Sequence, residues 1–134
     1  MEYSRLVDAA REARAKAHAP YSKFAVGAAL QSKSGEIYAG CNVENLSFGL
    51  TLCAERSAVA SAVTNGSREF VAIAVVTDSK EPAAPCGACR QVLAEFNPNL
   101  KIISVTVSGQ VQEFDLAKLL PLSHQGILEG LRNV

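Results

Sequence analysis

Two short runs carry the residue types that can do chemistry: Cys53-Ala54-Glu55 and Pro85-Cys86-Gly87-Ala88-Cys89-Arg90-Gln91. Cys86 and Cys89 stand three apart, so in the first turn of a helix their thiols lie on one side. A helix N-terminus carries partial positive charge, which lowers thiol pKa and favours the thiolate. Pro85 suits that start, because its missing N–H would have no helical partner there. Two thiolates on one turn make half of a tetrahedral zinc site, and Cys53, well upstream, offers a third ligand. No fourth is evident. Cys41 falls at the end of an expected strand, and His18 and His124 stand alone near the chain ends. Three protein ligands with one open position for water is the catalytic arrangement, whereas a structural site closes with four. Three thiolates favour a soft ion such as Zn²⁺.

Glu55 lies two residues after Cys53. On a regular helix those side chains diverge by roughly 200°. Both serve one site only if the metal sits over the helix N-terminus, where first-turn residues converge. Two helix starts are therefore expected to face each other across the metal. Each piece has a plainer reading when taken alone. A C-x-x-C pair is also a redox motif or half of a structural zinc site, and a glutamate in a helix is usually solvated. The joint pattern is far more specific than its parts.

The elements that must position these residues follow from periodicity and punctuation. The chain has 134 residues, the size of one domain, so residues 1–134 are expected to form a single catalytic unit. Residues 3–17 show helical spacing of Leu6, Val7, Ala10, Ala13 and Ala17, with Ser4 as N-cap and Pro20 beyond the end. Phe24 to Gln31 and Glu36 to Asn42 are expected strands, joined by a turn in which Gly35 takes a positive φ. Asn42 to Gly49 is a polar loop, and Leu52 to Val63 an alanine-rich helix closed by Asn65-Gly66. The apolar run Phe70 to Thr77 predicts a strand covered on both faces. A helix over Cys86 to Phe96, strands over Leu100 to Val107 and Val111 to Phe114, and two short helices over Leu116 to Leu131, broken at Pro121, complete the order. The fold class is α/β, a mostly buried sheet with helices on its faces.

Composition narrows the partners. Thirteen basic residues balance thirteen acidic ones and aromatics make up 6 %. Nucleic-acid binders draw much of their affinity from clustered positive charge and stacking, so a polynucleotide substrate is disfavoured. The N-terminal segment carries charges every few residues and no apolar core, and the longest apolar run is far too short to span a bilayer. A cytoplasmic protein without a membrane role is expected, and in that compartment cysteines serve as metal ligands more often than as disulfides.

Taken together, these runs resemble the small, homotetrameric cytidine deaminases whose zinc is held by three cysteines. Ala19-Pro20-Tyr21-Ser22-Lys23-Phe24, Val26-Gly27-Ala28-Ala29-Leu30, Gly40-Cys41-Asn42-Val43-Glu44-Asn45, Cys53-Ala54-Glu55-Arg56, Pro85 to Gln91 and Leu119-Leu120-Pro121 carry the likeness. The resemblance implies a three-layer α/β/α fold with a mixed five-stranded sheet, and hydrolytic deamination of cytidine and deoxycytidine to uridine and deoxyuridine, in pyrimidine salvage. Cys53, Cys86 and Cys89 would hold zinc while Glu55 moves protons to ring N3 and to the departing amine. Asn42 and Glu44 would bind the ribose, and Phe24 and Val26 would wall the pyrimidine. The Ala54 N–H would hold the pyrimidine carbonyl. Three thiolates on a divalent ion leave a net charge of about minus one, which opposes ionisation of water. The resemblance makes Arg56 the compensating cation, with Arg90 assisting. Active sites shared between subunits of a homotetramer are implied as well.

Two positions depart from that pattern. Phe48 stands where many relatives carry a tyrosine that reaches the sugar. The segment after Pro121 has no aromatic residue except His124, where relatives carry a phenylalanine. These departures leave room for an alternative substrate, a modified cytosine nucleoside such as a nucleoside antibiotic. A zinc-stabilised interaction module is the non-enzymatic alternative; it would need a fourth protein ligand.

Overall fold

Residues 2–123 of the computed structural model are described. His124 and the second of the expected tail helices lie outside them. The element order is the expected one: α1 (Ser4–Arg14), β1 (Val26–Ser32), β2 (Ile37–Cys41), α2 (Ala54–Thr64), β3 (Phe70–Thr77), α3 (Gly87–Phe96), β4 (Lys101–Thr106), β5 (Val111–Asp115) and α4 (Leu116–Leu119), with a short 3-10 turn at Phe48–Leu50. The strands form one sheet in the order β2-β1-β3-β4-β5. It is mixed, because β3 and β4 run parallel and every other pair is antiparallel.

Strand alternation distributes the core. Ala29, Ala72, Ala74, Val76, Ile103 and Val105 face one way and pack with Leu6, Val7 and Ala10 of α1. Their neighbours Ala28, Leu30, Ile73, Val75 and Ile102 face the other way, against Ala58 and Ala62 of α2 and Leu93 and Ala94 of α3. Both faces of β3 are thus covered, as its unbroken apolar run requires. This is the three-layer α/β/α arrangement.

The layers approach closely where the sequence has small residues. A Cβ added at Gly40 on β2 would lie 2.4 Å from the Ala58 nitrogen of α2 and 2.9 Å from the Ala54 carbonyl oxygen. Those neighbours are helix backbone and cannot swing aside. Gly40→Ala is expected to destabilise the protein by about 1–3 kcal/mol through overpacking, lowering Tm by several degrees in a calorimetric scan. An unchanged Tm would mean that α2 does not sit so tightly on β2.

Some boundaries move, for traceable reasons. Helix α1 stops at Arg14, short of Ala17, and Tyr3 takes the N-cap position expected of Ser4. The chain must turn out of α1 early because His18 bridges to Val43, its N–H donating to the Asn42 carbonyl while its own carbonyl accepts from the Glu44 N–H. Strand β1 begins at Val26, not Phe24. Cys53 and Cys86 stand just before their helices as N-caps, in extended backbone geometry.

Register gathers the site. Val26 at the start of β1 pairs with Thr77 at the end of β3, and Gly27 pairs with Cys41 at the end of β2. The beginning of β1, the end of β2 and the carboxyl end of β3 therefore share one edge of the sheet, the side on which α/β sheets bind ligands.

Candidate metal centre and substrate pocket

At that edge the starts of α2 and α3 converge. Cys53 and Cys86 cap the two helices, and Cys89 sits in the first turn of α3. The three sulfur atoms all lie within 4.8 Å of one another. Cys53 Sγ and Cys86 Sγ are 3.9 Å apart, and Cys86 Sγ and Cys89 Sγ are 3.4 Å apart. Tetrahedral zinc with Zn–S bonds near 2.3 Å requires sulfurs about 3.8 Å apart. The donor set and its spacing thus fit zinc. Cys41 is not part of the cluster, and among the described residues this group of three is the one that can hold a metal. Among the described residues no fourth ligand joins the three sulfurs, as a structural zinc module would need.

The extended conformation of Cys53 explains how it and Glu55 serve one place. Because Cys53 precedes the first helical residue, its side chain escapes the angular spacing of a regular helix. Glu55 is only 6 % exposed. Burial raises its pKa to about 7, opposed by a hydrogen bond from its own backbone and reinforced by the Cys53 sulfur. A carboxyl held near neutrality is suited to taking up a proton and giving it back.

Arg56 turns back over the cluster and donates from Nη2 to Cys53 Sγ at 3.3 Å. That hydrogen bond drives the guanidinium pKa further up, so its charge is permanent. The Cys53 thiol is lowered, first by its hydrogen bond with Cys89 and then by Arg56, against the pull of burial. Cys89 is raised, by the same shared hydrogen bond and by burial. Crowded sulfurs cannot all ionise without a cation among them.

Arg90, expected to assist Arg56, makes its hydrogen bonds to backbone. Its Nε donates to the Pro85 carbonyl at 2.7 Å and its Nη1 to the Leu119 carbonyl at 3.1 Å. It ties the loop before α3 to the end of α4. Its planar fork is directed at backbone oxygens, so hydrogen bonding to the thiols falls to Arg56.

A cavity of about 310 Å³ opens beside the cysteines and is lined by Cys53, Cys86 and Glu55. Phe24 and Val26 form one wall, and Asn42 and Glu44 line it as well. Phe48 and Thr51 lie at its loop side. Ala54 is fully buried at the first position of α2, where no helical carbonyl meets its N–H. All the expected site residues except Arg90 are thus gathered at or beside one cavity.

Asn42 and Glu44 do more than line it. Asn42 Oδ1 accepts from the Val26 N–H at 2.9 Å, and its Nδ2 donates to the Phe24 carbonyl at 2.8 Å. Glu44 Oε1 accepts from the N–H groups of Tyr21 and Ser22 at 3.0 and 3.1 Å, and Oε2 accepts from the Ser22 hydroxyl. These bonds hold its carboxyl below the usual carboxylate range. Two side chains thus shape the loop that carries Phe24, and this is why β1 starts only at Val26.

Several lining residues were not foreseen: Ser22, Thr51, Val75, Thr77, Ala83 and Ala84. Thr77 was findable, since it ends a central strand at the carboxyl edge where ligands bind. Ala83 and Ala84 carry no chemical signal beyond preceding Pro85-Cys86.

Residues 1–105 match the family described as the cytidine and deoxycytidylate deaminase zinc-binding region. A cytidine deaminase from Sporosarcina psychrophila is 48 % identical over 122 residues, 90 % of each chain. The crystal structure of cytidine deaminase from Burkholderia pseudomallei superposes with a TM-score of 0.87 at 50 % identity, covering 91 % of this chain and 98 % of that one. A blasticidin-S deaminase from Bacillus cereus is more distant, 31 % identical over 111 residues. With its three-cysteine cluster, its buried glutamate and this likeness along most of its length, the chain belongs to the zinc-dependent cytidine and deoxycytidylate deaminase family.

Proposed function

We propose that this chain hydrolyses the exocyclic C–N bond of cytidine and deoxycytidine, giving uridine or deoxyuridine and ammonia. The carrying observation is that an open three-thiol cluster and a buried glutamate face the same cavity as Asn42 and Glu44. Cys53, Cys86 and Cys89 would hold zinc, which would supply the Lewis acidity that makes water reactive near neutral pH. Glu55 takes a proton from the attacking water and delivers it to ring N3 as C4 becomes tetrahedral; it then takes the remaining proton from the C4 hydroxyl and passes it to the amine, so that C4=O forms as ammonia leaves. The Ala54 N–H donates to the pyrimidine carbonyl oxygen. Phe24 and Val26 lie against the ring and exclude water. Asn42 and Glu44 hold the sugar, a donor and an acceptor meeting one hydroxyl. Arg56 offsets the excess charge of three thiolates.

Residues 1–134 act as one catalytic domain, consistent with the single sheet and a cavity lined from Ser22 to Cys86. Leu46, Phe48 and Leu50 are 81 %, 56 % and 72 % exposed, and Phe48 lines that cavity. Such an apolar loop favours burial against further subunits, in line with a homotetramer that shares active sites. No helix among the described residues is long and apolar enough to cross a membrane. A cytoplasmic enzyme of pyrimidine salvage, acting on free nucleosides and not on nucleic acid, fits the balanced charge.

A second reading is kept for one observation. Phe48 lines the cavity and offers no hydroxyl to the sugar, which favours tolerance of a modified cytosine nucleoside. The deciding experiment is turnover of cytidine, deoxycytidine and a nucleoside antibiotic by the purified protein, followed by ultraviolet absorbance and ammonia release. Cytidine and deoxycytidine are expected to be preferred. Turnover of the antibiotic alone would reverse the assignment.

Glu44→Gln keeps an acceptor for the loop but loses the charge. It is expected to lower kcat/KM on cytidine about tenfold or more, the value of a hydrogen bond to a charged group. A slow reaction on free cytosine should fall less, because it loses only the support of the Phe24 loop and not a sugar contact. Equal losses on both substrates would remove Glu44 from sugar binding.

A further inference from the structure

We infer that Ser22 is a positioning residue for nucleoside binding, whose hydroxyl joins the Glu44 carboxylate to the backbone of Phe24 and so sets base wall and sugar contact as one unit. The inference deepens the nucleoside reading above and rests on it.

Ser22 Oγ donates to Glu44 Oε2 and accepts from the Phe24 N–H at 3.0 Å. Ser22 also gives its own N–H to Glu44 Oε1. Between Ser22 and Phe24, Lys23 is held at φ +61, a left-handed conformation uncommon for a residue with a side chain. Hydrogen bonds before and after it keep it there: its own N–H donates to the Ala19 carbonyl, the Ser22 hydroxyl accepts from the Phe24 N–H, and the Asn42 amide donates to the Phe24 carbonyl.

A carboxylate offers about four acceptor positions. The loop occupies two on Oε1 and one on Oε2. One position on Oε2 is left for a ligand hydroxyl in the cavity that both Ser22 and Glu44 line. The Ser22 hydroxyl thus fixes which lone pair faces the ligand. The same hydroxyl fixes the backbone of Phe24, the residue expected against the base. Removing it leaves Glu55 and the cysteines untouched but lets the carboxylate rotate and leaves the Phe24 N–H without its partner.

The test measures uridine affinity by calorimetry for wild type, Ser22→Ala, Ser22→Thr, Glu44→Ala and the Ser22→Ala/Glu44→Ala double variant. Ser22→Ala should weaken uridine binding roughly tenfold, as expected for loss of a hydrogen bond to a charged group. Ser22→Thr, which keeps the hydroxyl, should restore it. In the Glu44→Ala background Ser22→Ala should add less than about twofold, because residues that act through one another are not additive. In cytidine turnover the loss should fall on KM, with kcat kept. An unchanged affinity in Ser22→Ala, a failure of threonine to rescue, or full additivity in the double variant would overturn the inference. Should Glu44→Ala misfold, the alanine–threonine pair still decides. Wild-type protein that binds uridine but releases no ammonia from cytidine would refute the assigned reaction alone, and Ser22 would still be judged by the affinities. Wild-type protein that does not bind uridine would overturn both.

Discussion

Glu55→Gln is expected to keep a full zinc complement while kcat on cytidine falls by at least about two orders of magnitude, the usual contribution of general acid–base catalysis. The two halves of this result rest on separate observations. Zinc should stay because the cluster of possible ligands comprises three sulfurs and does not include the Glu55 carboxylate. Activity should go because glutamine fills the buried space at the start of α2 but cannot exchange a proton. Burial matters here in a second way. A solvated carboxyl is ionised at neutral pH and gives up a proton readily, yet takes one back poorly. Desolvation brings Glu55 to about 7, where both transfers are accessible. Elemental analysis and steady-state kinetics on one preparation would check the prediction. Near-native turnover would remove Glu55 from the mechanism, and loss of zinc would make it a ligand.

The same glutamate shows how far the sequence could be read. Its spacing from Cys53 is wrong for one face of a helix, and that misfit implied that the metal lies over a helix start. The structure resolves it by leaving Cys53 outside the helix as its cap. The order of elements was legible because each helix and strand advertises its period or its punctuation. What escaped notice was carried by single long-range hydrogen bonds. Asn42 and Glu44 staple a loop some twenty residues away, and no local pattern announces such a bond. For the same reason Phe24 and Ala25, which precede β1, read as the beginning of a strand. The bonds of Arg90 to the Pro85 and Leu119 carbonyls are of the same kind, made only once α3 and α4 have packed together. His18 ends α1 early through a bridge to Val43 that only the folded chain provides.

Cys86→Ala carries the other large effect: zinc should fall from about one per chain to a small fraction, and turnover should disappear with it. The choice among the three cysteines matters. Cys89 is buried beneath the site, so its removal would mix loss of a ligand with damage to the core. Cys86 is exposed at the cap of α3, and truncating it removes a sulfur with little packing. The two remaining thiols cannot hold a tetrahedral ion against competition from solvent. Binding of metal to the folded state raises Tm by mass action. A chelator should therefore lower the Tm of wild type toward that of Cys86→Ala and leave the variant's own Tm unchanged. Cys41→Ser, outside the cluster, should keep both zinc and turnover. A full zinc complement in Cys86→Ala would mean that the metal is held elsewhere. The sulfur spacing would then be a coincidence of two helix caps meeting, and the open position that makes this chain a catalyst would have to be sought at another set of ligands.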